Sequence, residues 1–146
     1  MRGHLIVGLV LLSLAGCVTV TSFNHSPAMA ARQAEKFAQV AFIERDYQKA
    51  YEMLSEGGKN YVSFEKFKEG IASMHPALYP STVKAIEWEE MPGRKAITIY
   101  LYGENGAERF YYKFVMEGVE ETDYLTSGFG RNRNPYPPSN MKQPLK

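Results

Sequence analysis

Apolar positions recur at helical spacing in the first half of the chain and alternate with polar ones beyond Pro80. Ala34, Phe37, Ala38, Ala41 and Phe42 lie three or four residues apart, with Arg32, Glu35, Lys36 and Gln39 between them. That spacing predicts a first helix from about 28 to 44. In "ERDYQKAYEMLSEGG" a second helix is expected, capped by Asp46, carrying Tyr47, Ala50, Tyr51 and Leu54 on one face and ended by Gly57. "VSFEKFKEGIASMHP" predicts a third, with Ser63 as cap, Phe64, Phe67, Ile71 and Met74 as its stripe and Pro76 as its stop.

Past Pro80 the period falls to two. "TVKAIEWEE" sets Ile86 and Trp88 against Glu87 and Glu89; "KAITIYLYG" sets Ile97, Ile99 and Leu101 against Thr98, Tyr100 and Tyr102. "ERFYYKFVM" sets Phe110, Tyr112, Phe114 and Met116 against Arg109, Tyr111, Lys113 and Val115. Pro92-Gly93 joins the first two strands, and Asn105-Gly106, a strong hairpin signal, joins the next two. A fourth strand is expected from about 119 to 129. The fold class is therefore α+β: three N-terminal helices on a curved antiparallel meander of about four strands, spanning 28–131.

Two segments lie outside this pattern. "RNRNPYPPSNMKQPLK" is rich in Pro and Asn and without period, so 132–146 is expected to be a disordered or loosely docked tail. At the other end, Arg2 precedes an apolar run from Leu5 to Leu14, too short for the roughly 20 residues of a membrane-spanning helix. This run reads as a removable export signal. Leu14-Ala15-Gly16-Cys17 resembles the lipobox of bacterial lipoproteins, which implies removal of residues 1–16 and attachment of lipid to the Cys17 thiol. Several acyl chains on one residue hold a protein at a bilayer far more firmly than one does. Residues 17–27 then form a tether in which His25 is a solvated linker residue. Val18 stands where lipoproteins kept at an inner membrane tend to carry Asp, so the resemblance implies an outer membrane, facing the periplasm.

Composition narrows the use. Export would leave 130 of the 146 residues, enough for one domain, with 16 basic side chains against 16 acidic ones. No basic field is present to recruit nucleic acid. Cys17 is the only cysteine, so a lipid there leaves no internal disulfide, and the fold must rest on its apolar core.

Within 28–131, Asp46, Tyr47, Ala50, Tyr51, Leu54 and Ser55 match a "gD-Y-x-x-A-Y-x-x-L-S" turn, with Arg45 in the place of its glycine. With helices first and sheet after, the chain resembles the nuclear-transport-factor-2-like superfamily, also described as cystatin-like. The resemblance implies a cone closed by helices, often holding a pocket. Its members include enzymes, ligand binders and modules that pair through the outer sheet face. The matched motif carries no catalytic residue, and fold alone does not choose among these uses.

Candidate chemistry is sparse. No phosphate loop, serine elbow or metal-spaced His/Asp/Glu set occurs, so no cofactor is expected. His75 is the one histidine in the folded region. It reads as a helix-end residue meeting the dipole, or as the acid–base group of a cone enzyme. Glu87, Glu89 and Glu90 read as a solvated sheet face. Trp88, Phe110, Tyr112 and Phe114 should face the helices, as core or as the lining of a small-ligand pocket. Thr98, Tyr100, Tyr102 and Tyr111 should share the outer face, either plainly exposed or as an interface for a protein partner or a second copy. The functional expectation is a lipid-anchored, non-enzymatic binding domain for a partner protein or small ligand. The alternatives are a cone enzyme of isomerase or dehydratase type and a structural envelope component.

Overall fold

In the computed structural model, which describes residues 21–146, helix α1 (Pro27–Ala38) begins where Ser26 accepts the Met29 N–H. Cys17 and the signal segment lie outside the described residues. Alanines 30, 31, 34 and 38 of α1 are buried. Their small side chains let the helix lie close to the sheet, while Phe37 reaches into it.

The first helix does not continue to 44 as α. Gln39–Glu44 widens into π turns and ends at Arg45, whose φ of 57° lies in the left-handed region that favours glycine. The strain explains the glycine of the resembling motif. A π turn rotates less per residue, which keeps Val40, Ala41 and Phe42 all on the buried side.

Helix α2 (Tyr47–Glu52) starts at Asp46, which accepts the Lys49 N–H, as expected from its cap. It breaks before reaching Gly57. The Ser55 N–H turns away to the Thr126 carbonyl at 2.9 Å, and the Ser55 hydroxyl starts a new helix, α3 (Glu56–Tyr61), by accepting the Gly58 N–H. Gly57 thus opens α3 instead of closing α2. At Gly58 a Cβ would stand 3.2 Å from the Ser127 carbonyl oxygen, so α3 needs glycine there to approach the sheet. Helix α4 (Phe64–Met74) is capped by Ser63 and buries Phe67 and Ile71.

Five antiparallel strands follow: β1 (Thr82–Glu90), β2 (Ala96–Asn105), β3 (Glu108–Glu117), β4 (Leu125–Asn132) and β5 (Gln143–Pro144), in the spatial order β4-β3-β2-β1-β5. Asn105 pairs with Glu108 across a tight turn at Gly106, φ 58°. Ile97, Ile99 and Leu101 of β2 and Phe110, Tyr112, Phe114 and Met116 of β3 are fully buried on the face toward the helices. Edge-to-face aromatic contacts join α1 to the sheet and to α4: Phe37 stands 5.6 Å from Phe114 of β3 and 6.2 Å from Phe67 of α4. Each such buried side chain contributes about 1.5–3 kcal/mol from removal of apolar surface alone.

Two further sequence expectations need correction. The fourth strand starts at Leu125, not near 119, because a turn at Val119–Thr122 intervenes and Gly118 takes φ 148°. Ile86 does not share the face of Trp88. A β-bulge between Ala85 and Glu87 frees the Ala85 N–H, which donates to Glu35 Oε1 of α1 at 2.8 Å, and Ile86 turns outward, 41% exposed. The C-terminal segment takes the docked alternative of its expectation: it crosses the outer sheet face and pairs as β5 with β1, Glu87 opposite Pro144, which gives the sheet five strands instead of about four.

Phe42→Ala is expected to cost about 3–5 kcal/mol in urea unfolding, and Ile86→Ala less than about 1 kcal/mol. Equal losses would contradict the bulge and restore the simple alternation.

Candidate functional site

The C-terminus of α4 points into the molecule, and its last carbonyls must find donors there. Three are supplied. The His75 backbone N–H takes the Ala72 carbonyl. The His75 ring follows with Nδ1 2.8 Å from the Ile71 carbonyl oxygen. Arg131, from β4, places Nη1 2.7 Å from the Met74 carbonyl oxygen. Since a carbonyl only accepts, His75 Nδ1 carries a proton, and the neutral ring has Nε2 free to accept. The Tyr112 hydroxyl donates to it at 2.7 Å.

Aromatic rings enclose this pair. Phe42 stacks on Tyr112 at 4.8 Å and lies 5.0 Å from His75, and Tyr79 stacks on the other side of the imidazole at 4.5 Å. Burial, with the nearby Arg131 charge acting the same way, holds the His75 pKa below its usual 6.5. Burial also pushes the Tyr112 hydroxyl above its ordinary range and Tyr79 up to about 12. His75 therefore meets the helix end as a neutral hydrogen-bond donor, not as a charge answering the dipole.

Phe110, Tyr112 and Phe114, expected as core or pocket lining, are all wholly buried, and Trp88 is half-buried at their margin. The space between helices and sheet at this point is filled by their rings. His75 and Tyr112 have the chemistry of an acid–base pair, yet each is already the other's partner. Arg131 was not visible as a site residue in the sequence. It lies 4.2 Å over the Phe110 ring, and Nη2 reaches Glu108 at 2.7 Å. Beside it opens a cleft of about 540 Å³ bordered by Ser73, Pro76, Leu78 and Asn132.

The outer face differs from its expected state. Thr98 and Tyr100 are buried, at 3% and 5% exposure, and the C-terminal segment lies over Tyr100. Tyr100 donates to Glu89 at 2.7 Å, packs 5.3 Å from Tyr136 and lies 4.2 Å below the Lys142 ammonium. Burial, reinforced by Glu89, drives its pKa upward. Tyr102 and Tyr111 remain half-exposed, their rings 5.7 Å apart. Of the four expected interface residues, these two stay open to a partner. Glu87 and Glu89 frame the buried pair as carboxylates, not as a free solvated face. His25, expected in a solvated linker, lies 3.3 Å from the Tyr124 hydroxyl, which also receives the Ser26 N–H.

Among the described residues, no three His, Cys, Asp or Glu side chains stand together as a metal-holding group, and no helix is long and apolar enough to cross a membrane. Compared with protein families, with curated proteins and with solved structures, the chain matches none.

The lowered His75 pKa has a defined sign in stability. The unfolded chain takes up the proton more readily than the folded one, so the stability linked to His75 is complete above about pH 6.5 and is lost as the pH falls through the folded value. The urea midpoint should drop from about pH 7.5 to about pH 5.5, and His75→Gln, which cannot titrate, should reduce that slope. An unchanged slope would show that His75 is not buried as a neutral ring.

Proposed function

We propose that this chain is a lipid-anchored binding module of a bacterial envelope, held through Cys17 at the outer membrane and facing the periplasm. The nuclear-transport-factor-2-like identity of its domain belongs to the same proposal. Its support is the order of elements, helices first and antiparallel sheet after, together with the left-handed backbone at Arg45 where the motif has glycine.

One observation carries the reading. The interior at the end of α4 is occupied by packed side chains, with His75 and Tyr112 bonded to each other at its centre. A substrate would have to displace a 2.7 Å hydrogen bond and stacked rings before meeting either group. Recognition is then left to the surface, and the outer sheet face offers the half-exposed aromatic pair Tyr102 and Tyr111, a residue type that interfaces enrich.

Intact-mass measurement of protein extracted from membranes should show acyl chains at Cys17, and Cys17→Ser should release the domain. In envelope cross-linking, Tyr102→Lys with Tyr111→Lys should remove the partner adduct while the fold persists by circular dichroism. An unmodified Cys17 thiol would end the anchor, and an adduct indifferent to both lysines would end the face.

A further inference from the structure

Residues 133–146 carry Arg133, Lys142 and Lys146 and no acidic side chain. They cross a part of the sheet that bears Glu87 and Glu89. Most of the segment is exposed, and its only regular pairing is the two-residue strand β5, extended by the Leu145 N–H to the Ile86 carbonyl. A segment so sparsely bonded opens at far lower free energy than the strands beneath it.

Lys142 is the exception within it. Its side chain is only 6% exposed. The ammonium sits 4.2 Å above the Tyr100 ring and 5.9 Å from that of Tyr136, donates to the Pro137 and Tyr136 carbonyls at 2.8 and 3.2 Å, and lies 3.7 Å from a Glu87 carboxylate oxygen. Tyr136 and Pro137 travel with the segment. The sheet itself supplies the Tyr100 face, Glu87, and Glu89 bonded to the Tyr100 hydroxyl. Lys113 lies over the same ring at 6.0 Å. An electron-rich ring beside two carboxylates is a receptor for a cation, and the β1 edge next to it is a receptor for an extended backbone.

We propose that residues 133–146 are a strap that fills, in cis, a docking site for a lysine-bearing extended segment of a partner polypeptide, with Lys142 as its pin. The inference rests on the reading of the outer sheet face as the recognition surface. It adds what that face takes and why the site is closed in the isolated chain. A partner segment would present its lysine to Tyr100, Glu87 and Glu89 and add its backbone to β1 in place of β5. Because the strap is tethered, it competes at a high effective concentration, and the partner gains access when the pin is drawn.

The test uses the full-length chain with Cys17→Ser and a fluorescently labelled synthetic peptide of residues 133–146 as the partner mimic. Lys142→Glu sets a carboxylate against Glu87 and Glu89 and should release the strap. Hydrogen exchange at the Leu145 amide should then rise at least about tenfold while β2 and β3 amides stay protected. The peptide should bind this variant at least about tenfold more tightly than it binds the Lys142 protein. A Lys142→Met peptide should lose that binding.

A released strap with no peptide binding would overturn the inference and leave the Tyr102 and Tyr111 cross-linking test standing. Equal binding to the Lys142 protein and the Lys142→Glu variant would overturn it too. So would a Lys142 protein that exchanges straps between two copies and elutes as a dimer.

Discussion

The hydrogen bond between His75 and Tyr112 is the constraint around which the rest is arranged. A helix that ends inside a protein leaves carbonyl oxygens without donors, and each costs free energy unless it is paired. Here α4 ends against the sheet. His75 turns back to bond the Ile71 carbonyl, Arg131 reaches from β4 to the Met74 carbonyl, and Tyr112 completes the ring's second nitrogen. Once these groups are fixed, Phe42 and Tyr79 have flat partners to stack on and the interior closes. Removing Tyr112 would therefore strand a buried nitrogen as well as leave a void.

A second consequence runs outward. With the helix-facing side packed around His75 and Tyr112, the sheet's other side becomes the surface that differs most from an inert exterior. Even there the chain covers part of its own face. Lys142 joins ring, carbonyl and carboxylate contacts in one place, whereas the residues on either side of it are held by little. The acidic character of the β1 side, which composition alone presents as neutral, exists only because the bulge at Ile86 sets Glu87 opposite Tyr100.

That bulge also shows what a one-dimensional reading lacks. Local features were legible: the Asp46 and Ser63 caps, the Ala34–Phe37–Ala38–Ala41–Phe42 face, the Asn105-Gly106 hairpin and the inward set of β3 all stand as their spacing predicts. The misplaced features depend on a distant partner. Ile86 is turned out because Glu35, fifty residues earlier, takes the Ala85 N–H. The second helix breaks because Ser55 bonds Thr126. The tail docks through Lys142, Tyr136 and the β5 pairing, in a stretch whose Pro and Asn content gives no periodic signal. His75 was legible as a helix-end residue, but its burial and its hydroxyl partner required knowing that α4 points at β3, and Arg131 required the register of β4.

The measurement that bears most directly on this account is the state of the His75 imidazole, read from its ring nitrogen-15 shifts across a pH titration. A closed, dry interior predicts the neutral ring with its proton on Nδ1, persisting below the pH at which a free histidine becomes charged. A ring that titrates near 6.5, or one that carries its proton on Nε2, would mean that the centre of the molecule is open to water and that the function assigned to its surface has lost its reason.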